Sequence, residues 1–219
     1  MAMPGPSEYG NAREGEALAV KTKSTRRKAK IRRRTTETDV TVELKLDGQG
    51  SYRITTGLPF FDHMLAQLVK HGLFDLTLRA KGDLEVDPHH TMEDVGLALG
   101  EAFAQALGNR AGIRRYGQAT VPMDDALGWV AVDLSGRPYL AYRADGLEGK
   151  VGEFDAALLK EFFRAFAMAL RANLHIGIPY GDNTHHMAEA VFKAAGRALD
   201  TAVALDPRVK GIPSTKGKL

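Results

Sequence analysis

Two segments of this 219-residue chain carry histidine and glutamate at metal-ligand spacing: His89-His90-Thr91-Met92-Glu93 and His185-His186-Met187-Ala188-Glu189. If each opens a helix, the first histidine and the glutamate four residues later stand about 40° apart and one turn along, so both reach one ion. The second histidine of each pair is rotated about 100° away and serves a second ion better than the same one. A single such pair is ordinary on a surface helix. Here the motif occurs twice, 96 positions apart, and at that offset Val95 matches Val191, Gly100 matches Gly196 and Ala102 matches Ala198. Matching helical tails behind matching motifs indicate an internal duplication.

Two further histidines can join these groups. His63 follows Phe60-Phe61-Asp62, and His175 alternates with Leu174 and Ile176, so it points away from their shared face. Either can also be an ordinary hydrogen-bonded histidine, and spacing does not choose. Together the candidates are six histidines and two glutamates, which divide into two sites of three His and one Glu with positions left for substrate or water. The chain has no cysteine, so thiolate sites and disulfides are excluded. Imidazole and carboxylate without sulfur suit manganese, iron or zinc. Arg115, Arg137 and Ser214-Thr215-Lys216 can gather on a phosphate, although any one of them alone reads as a surface charge.

The elements that must position these groups follow from periodicity. Val40, Val42, Leu44 and Leu46 share one strand face, and Asp47-Gly48-Gln49-Gly50 reads as a hairpin turn into a strand at 51–55. Helical spacing covers 60–73, strand spacing 74–80, and a long helix 91–107 closes at Gly108. The second half repeats the order: strands over 120–132 and 138–142 around Asp133-Leu134-Ser135-Gly136, a helix 155–172, a strand 173–178 and a helix 185–205. The expected fold is α+β, an internal duplication of two similar halves, each an antiparallel sheet with two helices, packed into one body. We set the halves at 26–111 and 112–219, behind a mobile leader at 1–25.

The chain is 44% hydrophobic and 26% charged, enough to bury a substantial core. Its net charge of +3 is the balance of −2 over residues 1–20, +9 over 21–34 and −4 over 35–219. The basic run has no interleaved aromatics to stack bases, so it reads as a solvated arm and not a nucleic-acid site. No apolar run reaches the ~18 residues that span a bilayer, and residues 1–20 lack the order of a secretory signal, so no membrane partner and a cytoplasmic location are expected.

A longer series of motifs runs through the chain: Arg34-Thr35-Thr36-Glu37-Thr38, Phe61-Asp62-His63-Met64-Leu65, His71-Gly72, Gly82-Asp83-Leu84 and the first HHxxE with Asp94. It continues with Pro122-Met123-Asp124, Gly136-Arg137-Pro138, Gly181-Asp182-Asn183, the second HHxxE and Ile212-Pro213-Ser214-Thr215-Lys216. From about residue 26 to 218 this series resembles the imidazoleglycerol-phosphate dehydratase family of histidine biosynthesis. The resemblance implies a duplicated fold and a lyase using manganese, two ions per active site, to convert imidazole glycerol phosphate to imidazole acetol phosphate. It also implies trimers that build a 24-subunit assembly with active sites between subunits. The implied ligands are His63, His89, His90, Glu93, His175, His185, His186 and Glu189. The implied substrate contacts are Glu37, Gln67, His71, Arg115, Arg137, Lys193, Ser214 and Lys216.

The implied chemistry accounts for that inventory. The proton to be removed lies beside an imidazole ring with no carbonyl to stabilise an enolate. Two metals on the ring nitrogens would hold it as imidazolate, whose electrons expel the neighbouring hydroxyl and leave a diazafulvene-like species. A carboxylate then takes the carbon-bound proton, and the enol becomes the ketone. Glu37, not needed as a ligand, is the leading acid/base, against the plain alternative of a strand-edge charge. A two-metal phosphate-ester hydrolase is the rival enzyme class, separated by release of inorganic phosphate. A nucleic-acid-binding protein acting through residues 21–34 is a third class.

Overall fold

The computed structural model describes residues 27–219, so the expected leader and the first part of the basic run lie outside the described residues. The first half comprises β1 (Lys28–Arg34), β2 (Thr38–Lys45), β3 (Tyr52–Thr55), α1 (Pro59–His71), β4 (Asp75–Gly82) and α2 (His89–Leu107). The second comprises β5 (Tyr116–Met123), β6 (Ala126–Asp133), β7 (Tyr139–Arg143), a small hairpin of β8 (Lys150–Val151) and β9 (Phe154–Asp155), α3 (Leu158–Leu170), β10 (Asn173–Tyr180) and α4 (Thr184–Val203).

The sheets have the same topology, β1-β2-β4-β3 and β5-β6-β10-β7. In each, three strands are antiparallel and the edge strand, β3 or β7, runs parallel to its neighbour. The duplicated α+β fold therefore stands, but the turn at residues 47–50 does not close a hairpin. β4 lies between β2 and β3, and the Asp75 carboxylate accepts the backbone N–H groups of Gln49 at 2.8 Å and Ser51 at 3.2 Å as the loop crosses its end. A Cβ on Gly48 would stand 2.4 Å from the Asp75 nitrogen, so the crossing requires glycine. The 133–136 segment behaves alike, because β10 separates β6 from β7. Two other expectations shift. The strand expected at 120–132 is two strands around a turn with Asp124 at φ 46°, and the helix expected from 155 begins at Leu158 because residues 150–155 form the small hairpin.

The inner strand faces bury Val40, Val42 and Leu44 on β2 and Val130 and Val132 on β6, against α2 and α4 respectively. The helices meet across the halves, α2 on α3 and α1 on α4. Aromatic rings bind all four together: Phe61 and Phe162 at 5.1 Å, Phe103 and Phe166 at 5.6 Å, Phe162 and Phe192 at 5.7 Å between centroids. Full burial of each large ring removes apolar surface worth roughly 1.5–3 kcal/mol. The repeat is written into the helix contacts as well. A Cβ on Gly100 would lie 2.6 Å from the Phe166 carbonyl oxygen, and one on its duplicate Gly196 would lie 2.3 Å from that of Leu68.

Candidate metal centre

Both HHxxE motifs open helices because a capping group sits just ahead of each. The Asn183 side chain accepts the N–H groups of His185 and His186 at the start of α4, and the Asp87 carboxylate accepts that of His89 at the start of α2. Satisfying the orphan N–H groups of the first turn places the histidines at the helix mouths. His185 and Glu189 then behave as the spacing predicts, with His185 Nε2 3.2 Å from Glu189 Oε2.

The third group comes from the other half. On α1, Asp62 accepts the Thr56 backbone N–H and hydroxyl at 2.9 and 2.6 Å, fixing the first turn, and His63 projects its Nε2 to 3.2 Å from Glu189 Oε2. Donor atoms of His63, His185 and Glu189 all lie within 4.8 Å of one another. Two imidazole nitrogens and a carboxylate oxygen so converged, with no thiolate, could hold a divalent first-row metal such as manganese, iron or zinc.

The carboxylate is held from behind. Lys193 Nζ lies 2.7 Å from Glu189 Oε1, which leaves Oε2 facing the two histidines. Burial pushes the Glu189 carboxyl up, but hydrogen bonds from Lys193 and His63 outweigh it, and the net direction is down, toward the ionised form. One turn beyond His63 on α1 comes Gln67, and one more brings His71, so His63, Gln67 and His71 form one stripe. It runs beside the stripe His185, Glu189, Lys193 and Arg197 on α4. Burial and the nearby Lys193 and Arg197 charges lower the His71 pKa, favouring its neutral form.

The doubled histidines share a second arrangement. His90 Nδ1 lies 3.0 Å from Asp83 Oδ2, and His186 Nδ1 lies 2.5 Å from Asp125 Oδ1. Each carboxylate favours a proton on Nδ1 and leaves Nε2 as the lone-pair nitrogen, the usual support of a ligating histidine. Without a metal the same hydrogen bonds raise both imidazole pKa values. Glu37, on the β1–β2 turn, lies 3.9 Å from His90 Nδ1, and the duplicate β5–β6 turn sets Asp124 3.6 Å from His186 Nε2. Asp83 and Asp125 were not singled out as site residues from sequence, and the duplication does not pair them: Asp83 follows β4, whereas Asp125 lies on the β5–β6 turn.

Among the described residues, no third donor converges on the first motif. Glu93 instead meets Arg164 of α3 at 3.0 Å, and Arg164 also holds Glu161. His175 is exposed on the outer face of the second sheet, 6.0 Å from the Tyr139 ring, and is not part of the converging donor group. The candidates for a phosphate lie elsewhere. Arg115 clamps Asp133 at 2.7 and 3.1 Å and donates to the carbonyl of Pro213, the residue before Ser214, at 2.9 Å. The C-terminal Leu219 packs on Gly136, next to the exposed Arg137. The Arg115 N–H bonds to Ala202, near the far end of α4, about 25 Å along that helix from His185.

Residues 56–199 match the family model described as imidazoleglycerol-phosphate dehydratase. The chain belongs to the imidazoleglycerol-phosphate dehydratase family. It is 55% identical over 193 residues to the imidazoleglycerol-phosphate dehydratase of Bacillus licheniformis, covering 88% of this chain and all of that one. With that of Gluconacetobacter diazotrophicus it shares 57% over 196 residues, 89% of this chain and 99% of the other. Among solved structures, the Pyrococcus furiosus dehydratase in complex with (S)-C348 superposes with a TM-score of 0.75 at 40% identity, over 86% of this chain and the whole of that one. The Staphylococcus aureus dehydratase gives 0.71 at 37%, over 81% and 100%. The chain is accordingly an enzyme, and the duplicated fold is that of the solved dehydratases.

Proposed function

We propose that this chain removes water from imidazole glycerol phosphate to give imidazole acetol phosphate in histidine biosynthesis, with two manganese ions per active site. The observation that carries the metal part of this reading is the convergence of His63, His185 and Glu189 from two helices and two halves. The name of its relatives supports the substrate.

In this reading His63, His185 and Glu189 hold one ion, and His89, His90, Glu93, His175 and His186 supply the remaining ligands. A bound divalent cation contributes Lewis-acid stabilisation of negative charge on the substrate's imidazole ring. The chain's own groups do the rest. Gln67, His71 and Lys193 line the α1–α4 seam and orient the substrate. Arg115, Arg137, Ser214 and Lys216 take the phosphate. Glu37 accepts the carbon-bound proton and passes it to the neighbouring hydroxyl, which departs as water, and the enol left behind becomes the ketone.

The two clusters stand about 25 Å apart along α4, several times the reach of so small a substrate. A complete site on this reading therefore draws on more than one copy, consistent with trimers that build a 24-subunit assembly in the cytoplasm.

The test is turnover of imidazole glycerol phosphate by the manganese-loaded chain, followed through the absorbing enol product and through free phosphate. Enol formation without phosphate release is the expected result; phosphate release would instead establish the two-metal hydrolase. Glu37→Gln should keep its metal and lose about 10²–10⁴-fold in turnover. Unaltered turnover would remove Glu37 from the mechanism.

A further inference from the structure

Asp94 follows the first motif directly, one helical turn after His90, and its carboxylate reaches the first two strands. Its side chain is 9% exposed and receives Arg33 Nε of β1 at 2.7 Å on one oxygen and the Thr38 hydroxyl of β2 on the other. Thr38 is itself buried. A carboxylate withdrawn from water this far is costly unless charge and hydrogen bonds compensate it, and here both are supplied by the two strands that flank the Glu37 turn.

That turn is tied together from inside. The Thr35 hydroxyl accepts the backbone N–H groups of Glu37 at 3.1 Å and Thr38 at 3.0 Å, its oxygen lies 3.3 Å from that of Thr38, and the Thr35 N–H donates to the Thr38 carbonyl at 2.9 Å. A hydrogen-bonded path thus runs from the Asp94 carboxylate through the Thr38 and Thr35 hydroxyls to the Glu37 backbone. Glu37 itself is exposed, and its carboxylate stands 3.9 Å from His90, four residues before Asp94 on the same helix.

We propose that Asp94 and Thr38 are positioning residues for Glu37: they lock the β1–β2 turn to the mouth of α2 and so set where the Glu37 carboxylate stands relative to His90. This rests on the acid/base role given to Glu37 above. An exposed glutamate on a short turn has no packing of its own to hold it, so the lock supplies the orientation that proton transfer requires.

The test is a double-mutant cycle on the manganese-loaded assembly. Thr38→Val removes the hydroxyl at constant shape, Thr38→Ser restores it, and each is also made in Glu37→Gln. We expect Thr38→Val to keep its metal and its KM, to lose about 10- to 100-fold in kcat, to regain most of that loss as Thr38→Ser, and to add no loss to Glu37→Gln. Asp94→Asn should give the same kcat effect. If its buried site does not tolerate the change and the chain does not fold, the threonine cycle decides alone. A Thr38→Val enzyme with parental kcat, with lost metal, or with a loss that adds in full to that of Glu37→Gln overturns the proposal while Glu37→Gln is still impaired. A fully active Glu37→Gln overturns the role of Glu37 and this proposal with it.

Discussion

His63 of α1 and Glu189 of α4 are 126 residues apart in the chain and 3.2 Å apart in the fold. Each belongs to a different half, so the donor set they form with His185 exists only when the halves are docked. If the proposed ligand set holds, His63→Ala should lower manganese affinity by more than about a hundredfold while leaving the fold intact, since its half-exposed side chain contributes little to packing. The supporting carboxylate behind His186 should matter less, and Asp125→Asn should cost about 10- to 100-fold in affinity. Titration of the metal-free chain with manganese checks both. Equal affinities for His63→Ala and the parent would remove His63 from the ligands.

In the metal-free protein, His90 and His186 should titrate above the ordinary imidazole range and His71 below it. For the first two the folded state binds the proton more tightly than the unfolded state. Their contribution to stability is thus complete below about pH 6.5, the unfolded value, and is lost as pH rises through the raised folded value. For His71 the sign is opposite: the folded state disfavours the proton, and stability falls as pH drops through the unfolded value. Imidazole proton chemical shifts against pH measure all three, and Asp125→Asn should return His186 toward the ordinary value without moving His90.

Gly196→Ala should destabilise the chain by about 1–3 kcal/mol, as overpacking does. The new methyl would fall 2.3 Å from the Leu68 carbonyl oxygen, a backbone atom that cannot rotate aside. Its duplicate Gly100→Ala meets the Phe166 carbonyl at 2.6 Å and should cost a similar amount. Alanine is the better helix former, so propensity alone predicts stabilisation. Denaturant unfolding of both variants separates the two outcomes.

Arg115→Ala should release the C-terminal segment, because the guanidinium that clamps Asp133 also holds the Pro213 carbonyl. Hydrogen exchange over residues 211–219 should rise toward that of an unprotected segment, while the core helices stay protected. Unchanged protection there would show that the packing of Leu219 on Gly136 suffices.

Local features were largely legible. Alternation identified the buried face of Val40, Val42 and Leu44, and helical periodicity placed the helix starts at 91 and 185, within two residues of α2 and α4. The two-residue turn at Asp124 and Asp125 was missed because Val121, Met123, Leu127 and Trp129 keep one odd-numbered apolar series across it, although the buried face switches to the even positions in β6. The supporting acids Asp83 and Asp125 carry no periodicity, and their partners were already assigned to metal.

By itself the sequence determined the duplication, the helices that present the HHxxE motifs and the donor chemistry that a cysteine-free chain allows. These follow from composition and from periods of two and 3.6 residues, which are local. Only the tertiary structure decided that β4 and β10 insert between strands adjacent in sequence, and that α1 crosses to α4 and α2 to α3. That crossing gives His63 to the second motif and Arg164 to the first, so two near-identical sequence motifs acquire different surroundings. The reason is physical: which apolar face covers which is settled by burial over the whole body, and no window of sequence contains both partners.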